Sequence, residues 1–330
     1  MPNCSAGLAG LTISYAIRTT QNLSFAVRAF TALENTFTSP ERVFRLMDVP
    51  QEATTKHQLT LSPGFHTSPF QPTLVAENIY CKYHVDSEPI LKGVSFKVYP
   101  QLTGICGRTG GGKSTLALVI SRCLDETQGR MTLCGVNVLD IPLERYRSLV
   151  QVYPQDCFLL SGTVRSFLDP HLYFTDLKLN SILNELSTAI GGEGEEDLYS
   201  RPTLSSSIHS GGSNLSAGQK QLLALARAAL ATEAKIVILD EITSNMDARA
   251  SLKAIHILRN ELLSRSIAVI LIAHVIKDIL ACNVVFVMAD GLIVEQGKPD
   301  YLLSDSESAL TQMVKEQEQN AVHSSSRAKG

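Results

Sequence analysis

Gly107-Arg-Thr-Gly-Gly-Gly-Lys113-Ser114 fits the spacing G-x-x-x-x-G-K-[ST], in which backbone N–H groups close around phosphate oxygens. Glycine lets the backbone turn that tightly, and a helix opening near Lys113 adds the positive end of its dipole. Lys113 then reaches the β- and γ-phosphates of a nucleoside triphosphate, and Ser114 ligates Mg²⁺. A second cluster, Lys235-Ile-Val-Ile-Leu-Asp240-Glu241, ends an apolar strand in two carboxylates. Ligands sit at that end of a strand in an open parallel sheet, so Asp240 would hold the Mg²⁺ shell and Glu241 would orient or deprotonate the attacking water. Read alone, two acids after an apolar strand are as readily a solvated strand end; paired with Lys113 they point to phosphate chemistry. In Asn214-Leu-Ser216-Ala217-Gly218-Gln219, Ser216 is a good N-cap and Gly218 leaves the first helical turn uncovered, a start that invites an anion and that an ordinary capped helix explains equally well.

These residues need a parallel sheet to bring them together, and the flanking pattern supplies one. Strand-like runs at Leu74 to Ile79, Val94 to Val98, Leu102 to Cys106, Val150 to Tyr153, Ile236 to Leu239 and Ile267 to Ile272 alternate with helical patterns over Thr163 to Ala189, Ala217 to Ala231 and Asp247 to Leu263. Such alternation predicts an α/β core. Upstream, Leu8, Leu11, Tyr15, Leu23, Val27, Phe30 and Leu33 recur at helical intervals, which predicts one long helix from Ala6 to Leu46. It reads either as a core helix or as the end of a membrane helix. Prolines and polar residues from Val49 to Pro72 predict a linker, Gly191 to Asp197 an acidic solvated insertion, and the polar segment after Gln312 a frayed tail.

Composition narrows the class. With 330 residues, 44% hydrophobic content and a formal net charge of -3, the chain can bury a full α/β core, and no basic excess points to nucleic acid. Its 7 cysteines are dispersed without a C-x-x-C pair, as expected of reduced thiols in the cytosol. The apolar run Ala6 to Ile17 is too short to span a bilayer and has no basic residue before it, so neither a signal peptide nor a complete membrane helix is expected.

Leu215-Ser-Ala-Gly-Gln219 resembles the LSGGQ signature of ATP-binding cassette (ABC) proteins, with Ala217 in place of one glycine. Leu149-Val-Gln-Val-Tyr-Pro-Gln-Asp, Ser161-Gly-Thr-Val-Arg165, Leu168-Asp-Pro170 and Gln219-Lys-Gln-Leu-Leu223 look like the second nucleotide-binding domain of the C subfamily, the multidrug-resistance-associated type. The resemblance spans nearly residues 5 to 308. It implies a P-loop NTPase domain of ABC type, with a parallel-sheet core, an antiparallel β subdomain and a helical signature subdomain, preceded by a long N-terminal helix. It divides the chain into the end of a last transmembrane helix with its cytosolic extension (1–48), a linker (49–72), the nucleotide-binding domain (73–308) and a polar tail (309–330).

The resemblance also implies roles. ATP and Mg²⁺ are the cofactors, cradled by Gly107, Arg108, Thr109, Gly110, Gly111, Gly112, Lys113, Ser114 and Thr115, with Ser114, Gln155 and Asp240 around the metal. Gln155 senses Mg²⁺ and couples to the membrane part, His274 contacts the γ-phosphate beside Glu241, and Asp247 belongs to a cross-dimer loop. Tyr83 falls where an aromatic stacks on adenine, with Tyr80 a competitor for that place. Leu215, Ser216, Ala217, Gly218 and Gln219 complete the site of a partner domain in a head-to-tail dimer. Val275 stands where the family usually has arginine, and Cys157 where it commonly has proline. The expected function is ATP hydrolysis that drives dimer closure and substrate export, with a first nucleotide-binding domain and transmembrane domains as partners, at the cytosolic face of a membrane. A regulatory module that gates a channel or partner is the alternative, and a soluble ABC ATPase on ribosomes or DNA a more distant one.

Overall fold

The structure, a computed structural model, describes residues 6–49, 71–84, 86–124, 127–155, 157–191, 201–244 and 246–327. The predicted linker and most of the acidic insertion lie outside the described residues. The chain divides into two compact units, Met1–Ala53 and Thr54–Gly330.

The first unit is one helix, α1 (Ala6–Met47). Its threonines are satisfied along the helix: Thr12, Thr19, Thr20, Thr31 and Thr36 each donate to the carbonyl four residues back. Its apolar side chains, among them Leu23, Phe25 and Phe30, are exposed. Among the described residues no helix is long and apolar enough to cross a membrane.

The second unit carries two main sheets. In chain order its elements are β1 (Leu74–Cys81), β2 (Leu91–Val98), β3 (Leu102–Gly107), α2 (Lys113–Ile120), β4 (Thr127–Leu133), β5 (Val136–Asn137), α3 (Leu143–Leu149), β6 (Val150–Tyr153), β7 (Gly162–Thr163), α4 (Val164–Leu168), α5 (Asp176–Gly191), β8 (Ser207–Ile208), α6 (Ala217–Ala229), β9 (Ile236–Asp240), α7 (Ala248–Leu263), β10 (Ala268–Ile272), α8 (Ile276–Leu280), β11 (Val284–Ala289), β12 (Leu292–Gly297), α9 (Pro299–Ser304) and α10 (Ala309–Arg327). One sheet runs in the order β12-β11-β3-β10-β9-β6, parallel except for β12; an antiparallel sheet runs β2-β1-β4-β5. The central strands are buried at nearly every residue, which is why Ile236-Val-Ile-Leu239 and Val269-Ile-Leu-Ile272 are unbroken apolar runs. β2, half covered, alternates buried and exposed residues instead.

Two sequence expectations change. The helical pattern over Thr163 to Ala189 is two helices, because the buried Asp169 accepts N–H groups of Tyr173 (2.9 Å) and Phe174 (2.8 Å) and Pro170 follows it, closing a turn between α4 and α5. The segment after Gln312 continues the helix α10 to Arg327 instead of fraying. Glu295 on β12 holds the start of α10, accepting from Ser308 Oγ (2.8 Å), Ala309 N (2.6 Å) and Leu310 N (3.3 Å), so a carboxylate sits against the positive end of the helix dipole while Leu310 is buried.

Candidate functional site

Register places the predicted site residues at one edge of the parallel sheet. Ile272 of β10 pairs with Ile105 of β3 on one side and Asp240 of β9 on the other, while Tyr153 of β6 pairs with Leu239. Gly107, Asp240, Glu241, His274 and Gln155 therefore all emerge at the carboxyl ends of adjacent strands, where an open α/β sheet binds ligands.

The phosphate loop is built on left-handed backbone. Gly110 has φ 82° and Gly112, the N-cap of α2, has φ 94°. Gly107 is required for a further reason: a Cβ there would lie 2.1 Å from the Met288 carbonyl oxygen on β11. Lys113 is only 5% exposed, and its Nζ donates to the carbonyls of Gly107 (2.9 Å) and Arg108 (3.1 Å). Burial holds its pKa below the ordinary lysine value, while the nearby charge of Glu241 favours the ammonium. Ser114, Arg108, Thr109 and Gly110 are exposed at the loop's outer face, and Gly111 donates to Arg108 O at 3.1 Å. Beneath the loop, burial pushes the Cys106 thiol up to about 12, which keeps it neutral under the cationic lysine.

Facing the loop, Asp240 has an oxygen, Oδ1, that is buried and has no hydrogen-bond partner. Burial, reinforced by Glu241, pushes its carboxyl above the usual range. A buried carboxylate oxygen left open and an exposed serine hydroxyl are donors that suit a hard divalent cation, which takes oxygen ligands. Ser114 and Asp240 thus fit Mg²⁺ by donor chemistry. Glu241 has φ 52°, a left-handed residue at the strand end, and its Oε1 lies 2.7 Å from His274 Nε2. Gln155 Nε2 reaches Ser244 Oγ at 3.4 Å, tying the loop after β6 to the turn after β9.

The two tyrosines separate. Tyr83 OH lies 3.2 Å from Thr115 Oγ1 on α2, beside the phosphate loop. Tyr80 is on β1 opposite Lys92, with its hydroxyl against Gly93 of β2. The geometry therefore brings Tyr83 to the loop and leaves Tyr80 on the antiparallel sheet.

The signature segment is a well-capped helix start with an exposed face. Ser216 Oγ accepts from Gln219 N (3.2 Å) and Gln219 Oε1 accepts from Ser216 N (2.9 Å), a capping box. Asn214 braces it, accepting from His209 N and donating to Ser207 O. Ser216, Ala217 and Gly218 are exposed, and Leu215 packs on the core. Asp247 caps α7, accepting from Arg249 N (2.8 Å) and Ala250 N (2.9 Å), bonds that hold its carboxyl below the usual range.

Sequence reasoning missed three supports of this site. Met288 on β11 and Gly291 in the turn after it buttress the loop, Gly291 N donating to Gly111 O at 3.3 Å. Glu316 of α10 pairs with Arg108 at 2.6 Å, and Gln317 bonds the His274 carbonyl and Ile276 N. Asp278 joins the segments after β9 and β10 from below. None of these positions has a local signal, because each acts across the fold.

Residues 91–244 match the ABC transporter family. Bile pigment transporter 1 of Saccharomyces cerevisiae is 33% identical over 320 residues, 92% of this chain and 20% of that protein. Mouse ATP-binding cassette sub-family C member 10 is 35% identical over 96% of this chain and 20% of its own length, and Arabidopsis thaliana ABC transporter C family member 13 is 33% identical over 94% and 21%. The chain spans about a fifth of the length of these curated relatives. A bacterial Atm1-family ABC exporter solved with ATP bound shares the fold, with a TM-score of 0.72 over 94% of this chain and 52% of that one at 23% identity. The chain thus has the fold of an ABC nucleotide-binding domain, with residues 91–244 matching the ABC transporter family model and nearly the whole chain similar to C-family members.

Proposed function

We propose that this chain binds Mg²⁺·ATP across residues 107–115 and hydrolyses it with Glu241 as the base that orients water, as the motor half of an exporter. The observation that carries the reading is the pairing of an open, buried Asp240 oxygen with Glu241 at the same strand end, opposite Lys113. Bound Mg²⁺ would neutralise charge on the β- and γ-phosphates. Around it, Lys113 exchanges its carbonyl bonds for phosphate oxygens, the loop N–H groups cradle the chain of phosphates, and Tyr83 stacks on adenine. Glu241 is held by His274 at 2.7 Å, so the histidine's move to the γ-phosphate frees the carboxylate for water.

Ser216, Ala217 and Gly218 are exposed and held by internal bonds, which suits them to the site of a second nucleotide-binding domain. Just after Gln155, Phe158 (75% exposed) and Leu160 (67%) form an apolar outcrop for a membrane-domain partner, a surface that water alone would not favour. The chain would therefore work at the cytosolic face of a membrane, with α1 as the end of a membrane helix and its extension, residues 73–308 as the motor, and no nucleic-acid partner.

The test is ATP turnover by the full chain alone and mixed with a first nucleotide-binding domain. Turnover that rises at least about tenfold on mixing is expected, since each chain alone holds half-sites. Equal, robust turnover by the monomer would contradict the shared site, and nucleotide binding without turnover in either case would favour a regulatory module.

A further inference from the structure

In the hydrolytic reading, on which the inference here rests, two segments bear the groups that meet the γ-phosphate. The turn after β9 carries Glu241, and the loop after β10 carries His274. They are joined at the top by Glu241 Oε1 and His274 Nε2 (2.7 Å), and at the strand level by Glu241 N donating to Ile272 O (2.9 Å). A third link lies below. Asp278, with no exposed surface, accepts from Thr243 Oγ1 on Oδ2 (2.9 Å) and from Ser251 Oγ on Oδ1 (2.7 Å). Thr243 and Ser251 are also buried, at 3% and 2% exposure.

The connections place this carboxylate between the segments that follow β9 and β10. Thr243 O accepts from Met246 N (3.1 Å), and Ser251 N donates to the carbonyl of Asp247 (2.9 Å), the cap of α7 and the residue of the cross-dimer loop. Asp278 itself is tied back toward the histidine by its N–H to Val275 O (3.1 Å). One residue thus joins the turn of the catalytic acid and the start of α7 through its side chain, and the loop of the histidine through its backbone.

Stability does not account for a carboxylate in this place. Its two oxygens meet only neutral hydroxyls, and no lysine, arginine or histidine lies within ion-pair distance among the described residues. Burial pushes its carboxyl above the ordinary range, against the opposing pull of the Ser251 and Thr243 hydroxyls. An apolar trio of similar volume would avoid that cost.

We propose that Asp278 is a positioning residue for hydrolysis: by clasping Thr243 and Ser251 it makes the Glu241 turn, the Asp247 loop and the His274 loop shift as one body when nucleotide engages. It touches neither nucleotide nor metal ligands and acts through Thr243.

The experiment measures steady-state kcat and the KM for ATP of the full chain mixed with a first nucleotide-binding domain, for wild type, Asp278→Asn, Thr243→Val, Thr243→Ser and the Asp278→Asn/Thr243→Val double variant. The clasp predicts a kcat about tenfold lower in each of Asp278→Asn and Thr243→Val, with KM within about twofold, because positioning rather than uniform binding is lost. Thr243→Ser, which keeps the hydroxyl, should restore turnover, and the double variant should be no slower than the slower single one. Unchanged kcat in the folded single variants, or losses that multiply in the double, would overturn the proposal. If Asp278→Asn does not fold, the Thr243→Val and Thr243→Ser pair decides alone. Glu241→Gln in the same assay separates the two readings: turnover that ignores Glu241 defeats the hydrolytic reading, whereas Glu241-dependent turnover that ignores Thr243 and Asp278 defeats only the clasp.

Discussion

Replacing Gly107 by alanine should disable the phosphate loop through one carbonyl. The residue has φ 150°, and a Cβ built on it lies 2.1 Å from Met288 O and 3.0 Å from Met288 C, both backbone atoms of the neighbouring strand. Ordinary contact begins near about 3.4 Å, so the end of β3 must retreat by roughly 1 Å. Overpacking of that kind costs about 1–3 kcal/mol and the backbone conformation about 1–2 more, together about 3 kcal/mol. For a domain of this size that is a melting temperature lower by about 6–12 °C. A displacement of about 1 Å at the loop should also weaken ATP by roughly a hundredfold, since the N–H groups no longer converge. Gly110→Ala is the control: it has φ 82° but nothing within 4 Å of its Cβ, so it should lose only about 1–2 kcal/mol. Thermal melts of both variants and titration with a fluorescent ATP analogue read the two effects. Wild-type nucleotide affinity in Gly107→Ala, or equal losses of stability in the two variants, would refute the reasoning.

Asp278 gives a pH signature. Its carboxyl is raised by burial, so between the ordinary carboxylate value of about 4 and its raised value the folded state keeps a proton that the unfolded chain has lost. Its contribution to stability is fully present below the ordinary value and is lost as pH rises through the raised one. The melting temperature of wild type minus that of Asp278→Asn should therefore fall as pH rises above the ordinary carboxylate value, and a difference that grows with pH would contradict this. Ser216→Ala removes half of a capping box, so it should cost about 1 kcal/mol and lower turnover with the partner domain, while ATP affinity of the chain alone stays within about twofold. Weaker binding by the unpartnered chain would place Ser216 in its own site instead of a neighbour's.

The sequence was most legible where chemistry and local structure coincide. Gly107 to Ser114 carry both the spacing and the backbone that the loop needs, and the unbroken apolar runs before Asp240 and His274 are the mark of strands buried on both faces. It was least legible where a contact is made across the fold. Thr127–Leu133 alternates polar and small residues and contains Gly129, so β4 shows little strand pattern until β1 pairs with it. α10 reads as a polar tail because its anchorage is a carboxylate on β12, not its own composition. Tyr80 and Tyr83 could not be ranked by spacing, since the chain turns between them and only the fold sends one to Thr115. Asp278 sits in Val275-Ile-Lys-Asp278, where nothing local distinguishes it from a solvated acid.

The central claim is that Glu241 turns a nucleotide-binding site into a hydrolytic one. The most direct measurement compares ATP affinity and single-turnover hydrolysis of wild type and Glu241→Gln, each mixed with a first nucleotide-binding domain. The amide keeps the size of the side chain and removes its basicity, so affinity should hold within about threefold while hydrolysis falls by at least about a hundredfold. Undiminished hydrolysis in Glu241→Gln would contradict the account.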